Sequence, residues 1–346
     1  MTITKILTYW YSNNKRDFPW RNTTNPYHIW LSEIILQQTQ IKQGLPYYEA
    51  FVSNYPTIFH LADAKESEVL KLWQGLGYYS RARNLHATAK YIVTELNGVF
   101  PNNYKELLKL KGVGDYTASA IASICFNENT AVLDGNVYRF LARYYGVETP
   151  INTTAGFKTF KTLAQEILDP KNPAEHNQAI MDFGSMQCSP SSPDCISCPF
   201  SSACVAFKEG IITKLPVKLK AKKPAKKYFN FLVFLSDTGE TILEKRQGNG
   251  IWENLYQFPL LETNKKQTEN SFQMELEGYS LLDDVNYKLS LYNESDIIHK
   301  LSHQHLHTKF WLVTVNQLPK PGIPIEKIRD FAVPVLIENF IESFNF

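Results

Sequence analysis

The chain has 346 residues, of which 44% are hydrophobic and 20% are charged, so it is long enough for about two or three folded domains. No stretch approaches the roughly 18 uninterrupted apolar residues of a membrane span, and the first twenty residues lack the apolar core of a signal peptide. These features exclude a membrane-spanning protein and predict a cytoplasmic one without a membrane partner, associated with the nucleoid if the source is bacterial.

The charge is unevenly distributed, although the net charge is only +2. Residues 1–227 contain 26 Lys or Arg and 18 Asp or Glu, a balance of +8, whereas residues 228–346 contain 10 and 16, a balance of −6. A basic front part and an acidic rear part favour a nucleic-acid surface that is confined mostly to the first module.

Residues 1–213 are predicted to form a mainly helical region, because apolar residues recur at helical spacing and Gly, Pro and Asn clusters separate the segments. Glu33 lies in one of these segments, within the nearly continuous apolar run IWLSEIILQQTQ. Desolvation would raise the pKa of a carboxyl group in such surroundings, which makes Glu33 a candidate general acid. The alternative is an ordinary solvated helical glutamate.

A tight turn between two helical segments follows, in the sequence LLKLKGVGDYTASAIAS at Leu107–Ser123. Gly112 and Gly114 leave its backbone amides uncovered, so the turn and the next helix can bind a phosphate group, although many such turns only connect helices. Asp134 follows twenty residues after Gly114 and is the candidate partner carboxylate of Glu33, the one that stays ionised.

Four cysteines lie within seventeen residues at the spacing C-x6-C-x2-C-x5-C: Cys188, Cys195, Cys198 and Cys204. In a cytoplasmic chain this density indicates one metal centre rather than two disulfides. Four thiolates suit zinc or an iron–sulfur cluster, and the spacing alone does not separate the two. Cys125 stands apart in an apolar helix and is predicted to be a buried, inert thiol.

The composition changes after residue 213. Residues 214–227 contain seven Lys and two Pro, which predicts an extended, solvated linker, with phosphate contact as the alternative. Tyr228–Leu235 and Phe310–Val315 have strand composition, and Ile325–Phe344 is typical of one or two helices. Residues 228–346 are therefore predicted to form a separate α+β module.

Taken together, these motifs resemble the adenine DNA glycosylases of the MutY family, within the endonuclease III superfamily. The likeness covers about residues 5–210. The motifs appear in the family order: PWR (Pro19–Arg21), SEIILQQTQ (Ser32–Gln40), GLGYYSRARNL (Gly75–Leu85), LKGVGDYTASAIAS (Leu110–Ser123), VLDGNVYR (Val132–Arg139) and the cysteine run. The resemblance implies a helix-hairpin-helix core, a 4Fe–4S cluster on the four cysteines, and a Nudix-like second domain.

The implied reaction is hydrolysis of the N-glycosidic bond of adenine mispaired with 8-oxoguanine or guanine. Its partner is double-stranded DNA containing such a mispair, and we expect the protein to act as a monomer. By resemblance Glu33 protonates the flipped adenine and Asp134 stabilises the sugar cation, while Tyr116 and Asn136 support them and Arg21 belongs to the same pocket. Lyase members of the superfamily carry a lysine where this chain has Tyr116. Tyrosine forms no Schiff base, so we expect a monofunctional enzyme.

The resemblance also implies a DNA-binding surface. Gln38, Thr39, Leu76 and Tyr78 match family positions that intercalate into DNA or face the opposite base, and an aromatic side chain such as Tyr78 can wedge between base steps. Ordinary polar helix residues and core packing are the alternatives.

The rear module matches less closely. The family often has Phe-Ser-His where this chain has Leu301-Ser302-His303, followed by His305 and His307. Ser302 and His303 are candidate readers of 8-oxoguanine on a loop, and an exposed histidine cluster or a chance metal site is the alternative. The acidic motif needed for pyrophosphate cleavage is not apparent, which indicates a recognition domain.

Two other functions remain open. One is a thymine- or pyrimidine-directed glycosylase of the same superfamily, against which the QQTQ segment and the rear module argue. The other is a DNA-binding protein without catalysis, against which the presence of both Glu33 and Asp134 argues.

Overall fold

In the computed structural model helices follow one another as far as Lys208 and the strands begin at Ala225, so the predicted combination of a helical front part and an α+β rear part is confirmed. The structure describes residues 2–220, 222–248, 250–283, 285–344 and 346. Two compact units divide the chain: Met1–Asp63 with Asn84–Lys220, and Ala64–Arg83 with Ala221–Phe346. The second unit thus includes a segment of the helical part that no sequence pattern assigned to it.

The helices are α1 (Ile3–Asn14), α2 (Pro26–Leu36), α3 (Ile41–Asn54), α4 (Ile58–Asp63), α5 (Glu66–Leu72), α6 (Ser80–Glu95), α7 (Tyr104–Leu107), α8 (Asp115–Phe126), α9 (Gly135–Tyr145), α10 (Thr154–Ile167), α11 (Pro173–Met186), α12 (Val205–Lys208), α13 (Glu269–Glu275) and α14 (Val335–Phe344). The strands are β1 (Ala225–Ser236), β2 (Glu240–Thr241), β3 (Glu244–Lys245), β4 (Tyr256–Gln257), β5 (Leu260–Thr263), β6 (Tyr287–Leu291), β7 (Ile297–Lys300), β8 (Gln304–Val315) and β9 (Ile323–Pro324). Within the described residues, no helix is long and apolar enough to cross a membrane.

One hydrophobic core of the first unit is built from α1, α9, α10 and α11. Leu7, Leu141, Phe160 and Phe183, one from each helix, are fully buried there. Phe183 also makes edge-to-face contacts with Trp10 and Phe200, at ring centroid distances of 5.0 and 5.1 Å. Truncation of a phenylalanine in such a site costs about 3–5 kcal/mol of stability, so this core holds α9 and α11 firmly in place.

The predicted hairpin lies between α7 and α8. Gly112 has a φ of +81°, and a Cβ atom there would lie 2.9 Å from the Cβ of Asn84, so the position requires glycine for two separate reasons. Gly114 caps α8 and has open space around it. Both glycines are exposed, which leaves the amides of the turn accessible to a ligand.

The second unit is built on a sheet of order β5-β1-β8-β6, with β7 also paired to β8. Strands β1 and β8 are parallel, and the other pairs of this sheet are antiparallel. Neighbouring residues of β8 point to opposite faces of the sheet. Trp311 stacks on Phe272 of α13 at 4.2 Å, and Phe310 stacks on Phe340 of α14 at 4.0 Å, so one helix covers each face.

The segment for which the sequence predicted a solvated linker, residues 214–227, is partly ordered against other elements. Leu215 is buried, the amide of Ile151 donates to the carbonyl of Val217 at 3.0 Å, and Asn152 exchanges two hydrogen bonds with Leu219. Strand β1 already begins at Ala225, and residue 221 lies outside the described residues. The exposed stretch is therefore shorter than predicted, because Leu215 is buried and the main chain of Val217 and Leu219 forms hydrogen bonds.

Candidate active site

Glu33 projects from α2 into a cavity of about 210 Å³. The helix begins at Pro26, where the side chain of Asn25 accepts a hydrogen bond from the amide of Tyr27 at 2.9 Å. Most of its other side chains are buried, as the apolar run predicted. The cavity is also lined by five other residues that the sequence singled out: Arg21, Thr39, Tyr116, Asp134 and Asn136.

Asp134 is the N-cap residue of α9, and the local sequence explains its position. Its carboxylate accepts hydrogen bonds from the amides of Asn136 and Val137, at 2.9 and 2.8 Å, and from the side-chain amide of Asn136 at 2.6 Å. Burial raises the pKa of Asp134 above its usual value, and these three hydrogen bonds oppose the rise because they stabilise the charged form. Asp134 and Asn136 are thereby held as one unit.

The surroundings of Glu33 suit an acid. Burial raises its pKa from 4.5 to about 7, and the nearby carboxylate of Asp134 adds to the rise, whereas a hydrogen bond from Tyr116 and the charge of Arg21 oppose it. Burial together with the charges of the two carboxylates raises the pKa of Tyr116 well above its usual range, so Tyr116 remains a hydrogen-bond donor. The pocket therefore holds a carboxyl group that can carry a proton near neutral pH.

A third carboxylate, Asp182 of α11, lines the same cavity and was missed by the sequence analysis. Arg21 binds it with two hydrogen bonds, Nη1 to Oδ2 at 2.6 Å and Nη2 to Oδ1 at 2.8 Å, and Arg16 donates from Nε to Oδ1 at 3.1 Å. The side chain is fully buried, yet the two guanidinium groups hold the pKa of Asp182 below its usual value. Asp182 thus fixes the orientation of Arg21.

Gln178 and Met181 of α11 also line the cavity and were not predicted. The hydroxyl of Tyr11 donates to Oε1 of Gln178 at 2.7 Å, and the hydroxyl of Tyr116 contacts the sulfur of Met181 at 3.4 Å. The only sequence signal for these two residues is their spacing: Gln178 precedes Met181 and Asp182 by three and four residues, about one helical turn. This spacing places the three side chains on one face of α11.

The chain is similar to known protein families and to known proteins over most of its length. Residues 31–166 match the family described as HhH-GPD superfamily base excision DNA repair protein, and residues 230–343 match the NUDIX domain. Adenine DNA glycosylase of Buchnera aphidicola subsp. Schizaphis graminum is 34% identical over 98% of this chain and 97% of its own length. That of subsp. Baizongia pistaciae is 36% identical over 90% of this chain and 86% of its own.

The chain belongs to the adenine DNA glycosylase family. It is accordingly a DNA N-glycosylase, a hydrolase of base excision repair. Among solved structures, a thermostable thymine-DNA glycosylase is 29% identical over 60% of this chain and 95% of its own, with a TM-score of 0.56. An endonuclease III in a non-covalent DNA complex has a TM-score of 0.52 at 21% identity, over 60% of this chain and 94% of its own, and shares the fold.

The other predicted DNA-binding residues of this family member lie in two places. Gln38 and Thr39 are in the connection from α2 to α3, where Gln38 is exposed and has a φ of +56°. Tyr78 and Ser302 are in the second unit, and their hydroxyl oxygens lie 2.8 Å apart in a hydrogen bond. The structure thus joins two candidates that are 224 residues apart in the sequence.

The side chains of the second unit differ in accessibility. Tyr78 is 53% exposed and Leu76 only 6%, so in this conformation DNA can reach the ring of Tyr78 but not the side chain of Leu76. Ser302 and His303 are exposed on the loop between β7 and β8. His307 lies on β8, and its Nδ1 is 3.4 Å from a carboxylate oxygen of Asp296. Within the described ranges, no group of three or more His, Cys, Asp or Glu side chains is arranged to hold a metal ion.

The four cysteines of the adenine DNA glycosylase chain line one cavity next to α9. Arg143 of α9 contacts two of them: its Nη1 lies 3.5 Å from the sulfur of Cys188, and its carbonyl accepts from the thiol of Cys204 at 3.4 Å. Cys125 lies apart in α8, where burial raises its pKa to about 12, as expected for an inert thiol.

The four thiols line one cavity. Thiolates are ligands both of zinc and of iron–sulfur clusters, so this donor set fits either group.

Proposed function

We propose that the protein hydrolyses the N-glycosidic bond of adenine mispaired with 8-oxoguanine or guanine in duplex DNA. The observation that carries this proposal is the presence in one cavity of Glu33, whose pKa is raised to about 7, and Asp134. A glycosylase needs a proton for the leaving base and a negative charge beside the sugar that loses it.

The base must leave the helical stack before it can enter such a cavity. Glu33 then donates its proton to the adenine ring, which becomes a better leaving group. Asp134, oriented by Asn136 and by the first amides of α9, faces the positive charge that develops on the sugar. Tyr116 donates a hydrogen bond to Glu33 and holds its orientation.

The adenine edge requires both donors and acceptors. The carboxamide of Gln178 offers both, and its orientation is set by the hydroxyl of Tyr11. Arg21 offers only donors and is held by Asp182. Since Tyr116 supplies no amine, strand cleavage through a Schiff base should be absent.

Cys188, Cys195, Cys198 and Cys204 would hold a 4Fe–4S cluster, which would brace the loop between α11 and α12. We expect the purified protein to be brown and to contain iron. Elemental analysis that finds stoichiometric zinc and no iron would contradict this assignment.

Recognition of the opposite base is assigned to Ser302 and His303. 8-Oxoguanine differs from guanine by an N7–H donor and an O8 acceptor, and a hydroxyl and an imidazole can each donate or accept. The exposure of both side chains and the hydrogen bond between the hydroxyl groups of Ser302 and Tyr78 support this role.

The test is a single-turnover assay on four duplexes, containing A:8-oxoguanine, A:G, A:C and T:G. We expect adenine release from the first two, no thymine release, and no strand cleavage. Glu33→Gln should abolish release while DNA binding persists, and the control Glu49→Gln, which changes an exposed glutamate of α3, should behave like the wild type. Thymine release with no adenine release would instead support the thymine-directed function.

A further inference from the structure

Residues 64–83 pack within the second unit and carry Tyr78. The side chain of Gln74, just after α5, bridges two parts of the C-terminal region: its Nε2 donates to Oε1 of Glu338 at 2.6 Å, and its Oε1 accepts from the amide of Val333 at 3.2 Å. The hydroxyl of Tyr79 donates to the carbonyl of Val333 at 3.3 Å. Both ends of the segment 74–79 are therefore bound to residues 333–338.

A second anchor lies one turn earlier, on α5. The ammonium group of Lys71 donates to the carbonyls of Arg329 and Phe331, at 2.7 and 3.2 Å. These two carbonyls belong to the stretch that leads into α14. The C-terminal region thus holds α5 and the following loop through main-chain and side-chain hydrogen bonds.

The loop between these anchors has an unusual backbone. Gly75, Gly77 and Tyr78 all have positive φ, at 95°, 70° and 47°, and the last value is uncommon for a residue with a side chain. Trp73 donates from its indole to the carbonyl of Gly77 at 3.0 Å, and Arg81 donates to the same carbonyl at 3.3 Å. A conformation of this kind persists only where the surrounding contacts impose it.

We infer that Gln74 and Glu338 are positioning residues for Tyr78, through which α14 holds the wedge in the conformation that enters DNA. This inference rests on the proposed function. The C-terminal module then has two roles. It reads the opposite base, and it supports base flipping on every substrate. Ser302 contacts Tyr78 itself, whereas the hydrogen bond between Gln74 and Glu338 lies where the loop leaves α5.

Point variants test this inference better than removal of the module, because removal would also expose the partners of residues 64–83. Gln74→Ala and Glu338→Ala delete the charged hydrogen bond, whereas Glu338→Gln keeps an acceptor oxygen for Gln74. The matched control is Glu342→Ala, which removes an exposed glutamate from the same helix. Each change is placed in a Glu33→Gln background, in which DNA binds without reaction.

The measurement is the fluorescence of 2-aminopurine placed beside the mispair, expressed per bound duplex. A loss of folded protein lowers the bound fraction but not this amplitude, so a merely structural role leaves it unchanged. We expect the equilibrium between inserted and stacked states to fall by about tenfold in both alanine variants, the lower end of the range for loss of a hydrogen bond to a charged group. Glu338→Gln should restore it and Glu342→Ala should leave it unchanged.

Rates in the active background separate this role from lesion recognition. Gln74→Ala should slow adenine release from A:8-oxoguanine and A:G by the same factor, whereas a change at Ser302 should alter their ratio. Unchanged fluorescence in both alanine variants, or equal loss in Glu338→Gln and Glu338→Ala, would overturn the inference. If the wild type released no adenine, the proposed function itself would fail, and this outcome is distinct from an active wild type with unaffected variants.

Discussion

Replacement of Glu33 by glutamine should stabilise the protein at alkaline pH while it removes the proton that we propose Glu33 donates to adenine. The pKa of Glu33 is raised from 4.5 to about 7 in the folded protein, chiefly by burial. Between these two pH values the unfolded chain has lost the proton that the folded chain keeps, so the stability of the wild type falls as pH rises from about 4.5 to 7 and then levels off. Glutamine has nearly the same size and no charge, so the free energy of unfolding of Glu33→Gln does not fall in this way as pH rises.

The magnitude follows from the interval between the two pKa values. Each pH unit corresponds to about 1.36 kcal/mol, so the interval from 4.5 to about 7 amounts to about 3 kcal/mol at pH 8.5. At pH 5 the difference should shrink to less than about 1 kcal/mol by the same relation. A whole domain is stable by only about 5–15 kcal/mol, so an effect of this size is readily measured.

The assay is equilibrium unfolding in urea at pH 5 and pH 8.5, for the wild type, Glu33→Gln and the control Glu49→Gln. The free energy of unfolding of Glu33→Gln should exceed that of the wild type by much more at pH 8.5 than at pH 5, and the exposed control should show no such dependence. An equal difference at both pH values would refute the reasoning, since it would mean that glutamine acts through packing and not through charge.

Four further outcomes are expected. The single-turnover rate of adenine release should fall about tenfold per pH unit above about pH 7, as Glu33 loses its proton. Asp182→Asn should lower the free energy of unfolding by about 3 kcal/mol in urea, because it breaks a buried ion pair on one side. Burial lowers the pKa of His176 to about 4, so the wild type should lose stability as pH falls from about 6.5 towards 4, and His176→Leu should lose less between pH 7.5 and 5. Ser302→Ala with His303→Ala should reduce the preference for A:8-oxoguanine over A:G by roughly 1–3 kcal/mol, measured as a ratio of second-order rate constants.

Each of these outcomes has a distinct contrary result. A rate that rises with pH would assign Glu33 the role of a base. Unchanged stability of Asp182→Asn would mean that Arg21 finds another partner, and identical acid sensitivity in His176→Leu would place the titrating group elsewhere. An unchanged ratio in a well-folded Ser302 and His303 variant would move lesion recognition to other residues.

Much of the candidate site was accessible from the sequence because its signals are local. Asp134 and Asn136 are two residues apart and bind each other across one helix N-terminus, so a short motif carries their arrangement. The same holds for the four cysteines, whose spacing over seventeen residues already requires one loop, and for Gly112, whose positive φ follows from the tightness of the turn.

Composition, periodicity and short motifs specify the helical and α+β parts, the family and the apolar setting of Glu33, because each of these signals lies within a few turns of chain. The charge balance of the pocket depends on folding, which brings Asp182 to Arg21 from 161 residues away. Folding also joins Gln74 to Glu338 and Tyr78 to Ser302. Such pairs leave no local pattern, since each side chain alone resembles an ordinary polar surface residue until folding brings it beside its partner.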